Sequence, residues 1–324
     1  MNRKLLTLAM AVCMAVLPAA VMAADYPSDT VRIIVPFSAG GTTDIFARVI
    51  GDHLQKAFGK PFVVENAPGA GSVTGIAQVA RAKPDGLTIG IASTSGLAIN
   101  PTLRPDQVPY KPLQDLIPIS MFDRVPNVLV VNQKKLNVKS VPELIDYLKK
   151  HPGEVAYGSS GVGTSQHLAA ELFQQMTGTK MVHVPYPGSS RMITDMIGGQ
   201  ISMAIDNVPL LLPYVQDGKL AMLATATPKR AAFNEKVPAI AETLPGFEAV
   251  AWHGFIAPAG TPPEIIQKLA TEIQNCMKKP ETIKKFADLG AEATVTTPKE
   301  FADYIAAETI RWKTVIEKAN LAIK

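Results

Sequence analysis

Val31-Arg32-Ile33-Ile34-Val35-Pro36-Phe37-Ser38-Ala39-Gly40-Gly41-Thr42-Thr43-Asp44 runs from an apolar stretch, through a glycine-and-hydroxyl loop, into a helical pattern. Val31 to Val35 reads as a buried strand, and Asp44 to Phe58 as an amphipathic helix stopped by Gly59 and Pro61. A glycine turn that opens a helix leaves backbone N–H groups and a positive dipole end facing outward, the materials of an anion site. Gly40 and Gly41 let a ligand approach the main chain closely. Thr42 or Thr43 is placed to cap the helix, Ser38 adds a donor, and Asp44 competes for the same N–H groups. The design recurs at Tyr157-Gly158-Ser159-Ser160-Gly161-Val162-Gly163-Thr164-Ser165, again between a strand and a helix. Two such loops on two halves of one chain predict two walls of a single cleft.

Outward from the first loop, strand and helix alternate at parallel-sheet spacing. Phe62 to Glu65 reads as a strand, Ile76 to Ala82 as a helix and Leu87 to Ile91 as a strand, so the first hundred residues form an α/β unit. A proline-rich polar stretch, Pro101 to Pro118, precedes apolar runs at Leu116 to Phe122 and Asn127 to Val131. Ser140-Val141-Pro142-Glu143 is a capping box that opens a helix to Lys150. A second alternating series follows, with strands near Val155, Met181, Ile201 and Leu220 and helices near Gln166, Met192 and Leu210. The last third holds a strand, Ala249 to Ala257, and two capped helices beginning at Thr261-Pro262-Pro263-Glu264 and Thr297-Pro298-Lys299-Glu300, the second running to about Asn320. Lacking a sheet of their own, these helices return over the first unit. The chain then crosses twice, near Met121–Asn127 and near Gly246–Gly254, which makes a hinge. The expected fold is a two-domain hinged α/β binding protein, each domain a mainly parallel sheet flanked by helices. Residues 25–122 with 248–324 form domain 1, residues 123–247 form domain 2, and the ligand cleft lies between them.

Composition narrows the function. In 324 residues, 47% are hydrophobic and 19% charged, enough apolar content for packed cores. Met1-Asn2-Arg3-Lys4, an apolar Leu5 to Val21 and small residues to Ala24 read as a signal peptide over residues 1–24, so the mature protein is expected in the periplasm. Its removal takes Arg3 and Lys4 from 32 basic residues, leaving 30 against 28 acidic. That balance argues against a nucleic-acid partner, and Lys278-Lys279 and Lys284-Lys285 read as a solvated helix face. Cys13 leaves with the signal, so Cys276 has no intramolecular partner.

The remaining motifs exclude more than they propose. His53, His151, His167, His183 and His253 include no i, i+4 pair and no Cys partner, so no metal site is expected. His167, in a first helical turn, reads as a neutral structural histidine. Gly69-Ala70-Gly71-Ser72-Val73-Thr74-Gly75 mimics a dinucleotide fingerprint, but Ile89-Gly90-Ile91-Ala92-Ser93 holds no acid to complete it. That loop reads as structural or cleft-lining. Ser93 and Ser95, in Ser93-Thr94-Ser95-Gly96 after the third strand, are better ligand candidates, because such sheets bind at the carboxyl ends of their strands. Gly158-Ser159-Ser160-Gly161 has the wrong spacing for a nucleophile elbow, and Gly59-Lys60 is followed by proline rather than a P-loop. No catalytic residue, cofactor or metal is expected.

In order and spacing, several motifs together resemble the substrate-binding proteins of tripartite tricarboxylate transporters, the Bug family. They are Val35-Pro36-Phe37, Gly40-Gly41, Asp44, Ala47-Arg48, Gly69-Ala70-Gly71, Lys83-Pro84-Asp85-Gly86 and Asn100-Pro101. Ser159-Ser160-Gly161-Val162-Gly163, His167-Leu168, Val184-Pro185-Tyr186, Gly198-Gly199-Gln200 and Pro258-Ala259-Gly260-Thr261-Pro262 complete them. The resemblance implies a periplasmic protein that closes on a small mono-, di- or tricarboxylate and hands it to transmembrane transporter subunits. A monomer is expected; the alternatives are a sensing adaptor for a receptor or, third, an enzyme using the same cleft. It places the ligand against Phe37, Ser38, Ala39, Gly40, Gly41, Thr42, Thr43 and Asp44, with Ser93, Ser95, Ser159, Ser160, Thr164 and Ser165 opposite or beside them. Asp206 matches a position near the family's pocket, where it reads an amino or hydroxyl group or else caps the Pro209 helix. Where the family usually has Val-Pro-Tyr-Lys-Gly, this chain has Pro187, and Arg191 follows in a helix start. Arg191 either grips a distal carboxylate or faces solvent.

Overall fold

Four of the five residues of β1 (Val31–Val35) are fully buried, so the strand can only be internal. It is followed by α1 (Thr42–Phe58), β2 (Phe62–Asn66), α2 (Val73–Ala80) and β3 (Thr88–Ser93), with β2 and β3 paired in parallel on either side of β1. The computed structural model describes residues 26–318. The expected signal peptide and the expected end of the last helix near Asn320 lie outside the described residues.

After β3 a single wide turn, Thr94–Ile99, leads into the short α3 (Asn100–Leu103). β4 (Leu116–Val131) then extends for 16 residues as one strand, where the sequence shows two separate apolar runs. Its two internal prolines sit where pairing is irregular or ends: Pro118 at a register shift, and Pro126 as the last residue paired with β9. Next come α4 (Val141–Lys150), β5 (Ala156–Ser159), α5 (Ser165–Thr177), β6 (Val182–Pro185), α6 (Ser189–Ile197), β7 (Met203–Asn207), α7 (Val208–Gln216) and β8 (Ala221–Thr225). Ser140 caps α4 through the Glu143 N–H, as its sequence predicts. β9 (Val250–Pro258), α8 (Pro263–Met277), α9 (Pro280–Asp288), β10 (Glu292–Ala293) and α10 (Pro298–Lys318) complete the chain. α9 and β10 were not legible in the sequence, and α8 starts without a side-chain cap because its N-cap residue is Pro262, while the Thr261 hydroxyl before it donates to Pro258 O.

The strands form one curled sheet in the order β2-β1-β3-β9-β4-β7-β5-β6. β4 belongs to two segments of it. Residues 116–126 pair antiparallel with β9 in the first segment, and residues 127–131 pair with β7 and β8 in the second. The outer strands of each segment are parallel, β2-β1-β3 and β7-β5-β6; the antiparallel pairings gather around β4 and β9.

Helices cover both segments. Phe46, Ile50 and Leu54 of α1 and Leu269 and Ile273 of α8 pack against Ile33, Ile89 and Phe255. On the opposite face α2 and α10 cover Ile34, Trp252 and Ile256, so the last helix does return over the first segment. In the second segment Met192 and Met196 of α6 and Leu211 of α7 bury Val128 and Val130. α10 is seated by the Trp252 indole N–H, which donates to Glu308 Oε2 at 3.1 Å, and by Phe301 against the Trp252 ring. Phe301 fits because β9 has no side chain at Gly254, where an added Cβ would stand 2.3 Å from the ring. Gly254→Ala is therefore expected to destabilise by about 1–3 kcal/mol through overpacking, read as a lower midpoint in urea. A midpoint equal to wild type would show that α10 is not held by this contact.

Candidate functional site

The β1–α1 loop and the loops at the carboxyl ends of β3, β5, β6 and β7 converge on a cavity of about 190 Å³. On the first wall stand Phe37, Ser38, Ala39, Gly41, Thr42 and Thr43, joined by Ser93, Thr94 and Ser95. The helix behind this loop has no side-chain cap, contrary to the expectation for Thr42 or Thr43; Gly41 is the N-cap residue. Thr42 Oγ1 is instead buried, lines the cavity and has no hydrogen-bond partner. Thr43 Oγ1 lies 3.0 Å from His253 Nε2.

The second wall carries Ser160, Ser165 and Gln166, then Pro187 to Arg191, with Asn207 and Leu210. Ser160 Oγ, like Thr42 Oγ1, is buried without a partner. Gln166 Nε2 donates to Asn207 Oδ1 at 3.1 Å, which orients both amides; neither residue drew notice in the sequence. Arg191 stands at the mouth with its side chain 67% exposed, 3.5 Å from Asp195 one turn on.

Five of the expected ligand residues turn away from the cavity, each for a visible reason. Gly40 donates its N–H to Asp44 Oδ2 at 2.9 Å. Asp44 spends its carboxylate on that bond, on Asn66 and on Arg48, so it shapes the loop from behind. Burial opposes its ionisation, but Arg48, the Gly40 N–H and Asn66 hold its pKa below the ordinary value. Ser159 Oγ lies 2.7 Å from His183 Nε2, and Thr164 Oγ1 caps α5 and donates to Gly161 O. Asp206 is fully buried; its Oδ1 accepts from the Asn207 N–H, and Oδ2 has no partner of ordinary geometry. Burial pushes its pKa up to about 6, offset in part by polar groups of Ser189, Asn207 and Gln166.

The two walls touch directly. Ser38 Oγ donates to Pro187 O at 3.1 Å, and the Ser165 N–H donates to Ser95 Oγ at 3.1 Å. Behind the cavity, Asn100 Nδ2 donates to Gly71 O on one side and Gly163 O on the other. Arg104, also buried, donates to Ala70 O at 2.7 Å and to Val162 O at 3.1 Å. The Gly69–Gly75 loop therefore serves this clasp and does not line the cavity.

Among the described residues, no three His, Cys, Asp or Glu side chains gather as metal ligands, and no helix is long and apolar enough to cross a membrane. The residue most clearly missed by sequence is His253, which lines the cavity floor with its Nδ1 2.9 Å from Asp123 Oδ1. Asp123 lies 130 residues away in sequence, and only the antiparallel register of β4 and β9 brings the two together.

Comparison with known proteins gives the family and the fold. The chain matches the tripartite tricarboxylate transporter family receptor over residues 46–321 and belongs to that family. It is 38% identical to protein BugT of Bordetella pertussis, covering 100% of this chain and 99% of that one. Rpa4515 of R. palustris, solved with adipate, is 36% identical with a TM-score of 0.88, covering 92% of this chain and 99% of that one. MatC of Rhodopseudomonas palustris, solved with bound malate, is 28% identical with a TM-score of 0.85, covering 90% and 100%. The fold is that of periplasmic binding proteins.

Two histidines behind the second wall give a pH signature. His167 Nδ1 accepts from the Gly163 N–H, and its ring stacks on His183 at 4.2 Å. Burial, then the neighbouring His183 and Arg104, pushes His167 down to about 3, and burial pushes His183 down to about 4. An unfolded chain takes up these protons near the ordinary value of about 6.5. Between there and about 4 the unfolded state binds more protons, so this contribution to stability is lost as pH falls. Asp206, with its raised pKa, acts in the opposite sense between about 4 and 6, so the readout must be comparative. The fall in melting temperature from pH 7 to 4.5 is expected to be smaller in His183→Gln than in wild type. Equal falls would mean that the pair is not held neutral.

Proposed function

We propose that this receptor captures a small organic carboxylate between its two sheet segments and delivers it to transmembrane transporter subunits, without catalysing a reaction. The observation that carries this is the pair of orphan hydroxyls, Thr42 Oγ1 and Ser160 Oγ, which line one cavity from opposite walls. A buried hydroxyl without a partner costs free energy, and a carboxylate entering the cavity offers each of them an acceptor. The adipate and malate of the two structural relatives support the chemical class. In this reading residues 25–122 with 248–324 are one domain and 123–247 the other. The chain hinges where β4 changes partners and where it enters β9. Ligand that bridges both walls favours the shut state by its differential affinity for it.

A thermal-shift panel of mono-, di- and tricarboxylates, including adipate and malate, tests the reading, since binding raises the melting temperature by mass action. Thr42→Val and Ser160→Ala are each expected to weaken the acid that binds about 10- to 100-fold. The same variants leave the ligand-free protein as stable as wild type or more so, because each removes an unsatisfied group. No shift with any acid, or destabilised ligand-free variants with unchanged affinity, would sink the proposal.

Arg191 is assigned to the far end of the ligand. Its pairing with Asp195 is long and solvent-exposed, so little holds it there. Arg191→Ala should weaken dicarboxylates more than monocarboxylates by calorimetry; equal effects on both classes would leave Arg191 a solvent-facing residue.

A further inference from the structure

The floor of the cavity contains a chain of three side chains that the sequence does not place together. Thr43 Oγ1 meets His253 Nε2 at 3.0 Å, and His253 Nδ1 meets both Asp123 oxygens at 2.9 and 3.0 Å. Asp123 Oδ1 also accepts the His253 backbone N–H at 2.8 Å, which fixes the carboxylate in position. Asp123 is fully buried, while Thr43 and His253 line the cavity.

Counting protons on the Asp123–His253 pair gives two arrangements. With one proton, it sits on Nδ1 facing the carboxylate, so Nε2 is an acceptor and Thr43 must donate to it. Thr43 then shows the cavity only lone pairs, above a pair of net negative charge. With two protons the pair is neutral, and Nε2–H donates to Thr43 whichever way the inner proton is shared. The Thr43 O–H is then released toward the cavity.

We propose that Asp123 and His253 are positioning residues whose shared proton count decides whether Thr43 accepts or donates, so that a carboxylate binds with uptake of one proton by the pair. This rests on the carboxylate reading above and adds to it a polarity at one named hydroxyl. Burial already works against the charge on Asp123, although His253 beside it acts the other way. An incoming carboxylate adds a second negative charge that a proton on the pair would offset. The charged groups adjoining Thr43 and Asp123 in sequence are themselves paired, Asp44 on α1 with Arg48 and Arg124 on β4 with Glu248. β4 supplies Asp123 and the Phe122 ring, the β1–α1 loop supplies Phe37, α1 supplies Thr43, and β3 presents Ser93 in register with His253. Across the cavity the charged groups are Arg191 on α6, at the mouth, and Asp206 on β7, buried behind the wall.

Histidine-selective 15N NMR on ligand-free protein, with His253 assigned from its loss in His253→Gln, reads the tautomer directly. Neutral His253 in wild type should carry its proton on Nδ1. In Asp123→Asn the amide oxygen keeps the backbone N–H, which turns the NH2 onto Nδ1, so the proton should move to Nε2. Calorimetry with adipate and with malate at pH 8, in buffers of different ionisation enthalpy, should show uptake approaching one proton in wild type. Affinity should fall about tenfold per pH unit from pH 7 to 9. Asp123→Asn should lose both effects, and Thr43→Val should lose the uptake while keeping the wild-type tautomer. An Nε2–H tautomer in wild type, binding without proton uptake, or uptake that persists in Asp123→Asn would overturn the relay. If no acid of the panel binds, the carboxylate reading fails, and the tautomer switch still decides the relay.

Discussion

Everything in this molecule hangs on the change of partners along β4. One ribbon of backbone serves two sheet segments, and the edge it offers β9 in the first is taken by β8 in the second. The exchange is sealed at Asn127 by two backbone hydrogen bonds: the Ala226 N–H donates to Asn127 O, and the Ala249 N–H donates to Ala226 O. The Asn127 amide donates to Ala249 O and accepts from Asn207 Nδ2, and Asn207 in turn accepts from Gln166 at the cavity. A single buried amide thus ties the junction of the two segments to the wall of the site. Because buried polar groups must be paired, neither end of this chain can move without the other responding.

What the sequence could disclose was whatever is written locally. The strand–loop–helix units around Pro36–Thr43 and Ser159–Ser165 carry their own punctuation, and Ser140 and Thr297 announce their helices by capping boxes. The cavity is indeed built from such units. Direction was not legible. A hydroxyl in a glycine loop can face a ligand or close the loop on itself, and composition is the same in both cases. Thr42 and Ser160 face the cavity, whereas Ser159 and Thr164 are consumed by His183 and Gly161. Groups that depend on distant pairing were invisible, as with Asp123 and His253, and so was the continuity of β4 between Phe122 and Asn127.

The contrast between Asp44 and Asp206 shows how place decides chemistry. Both are buried carboxyls near the same cavity. Asp44 is surrounded by an arginine, an amide and a backbone N–H and is held ionised, so it works as loop scaffolding. Asp206 lacks a cation and has a free oxygen, and its proton is correspondingly harder to lose. Pairing one carboxyl and raising the pKa of the other limits the negative charge that these two residues bring to the cavity, which suits the carboxylate ligand proposed above.

The clasp behind the cavity has a bearing on timing. Asn100 and Arg104 join the two walls through backbone carbonyls alone, so the fastening needs no cargo. If the segments hinge as proposed above, this fastening favours the shut state before any ligand enters. The larger the shut fraction, the tighter the measured affinity and the smaller the difference between a loaded and an empty molecule. A cation held by carbonyls is a weaker fastening than one held by a carboxylate, and the choice limits false reports. In that proposed reading the cargo supplies the final increment by which a downstream partner would tell a full carrier from a vacant one.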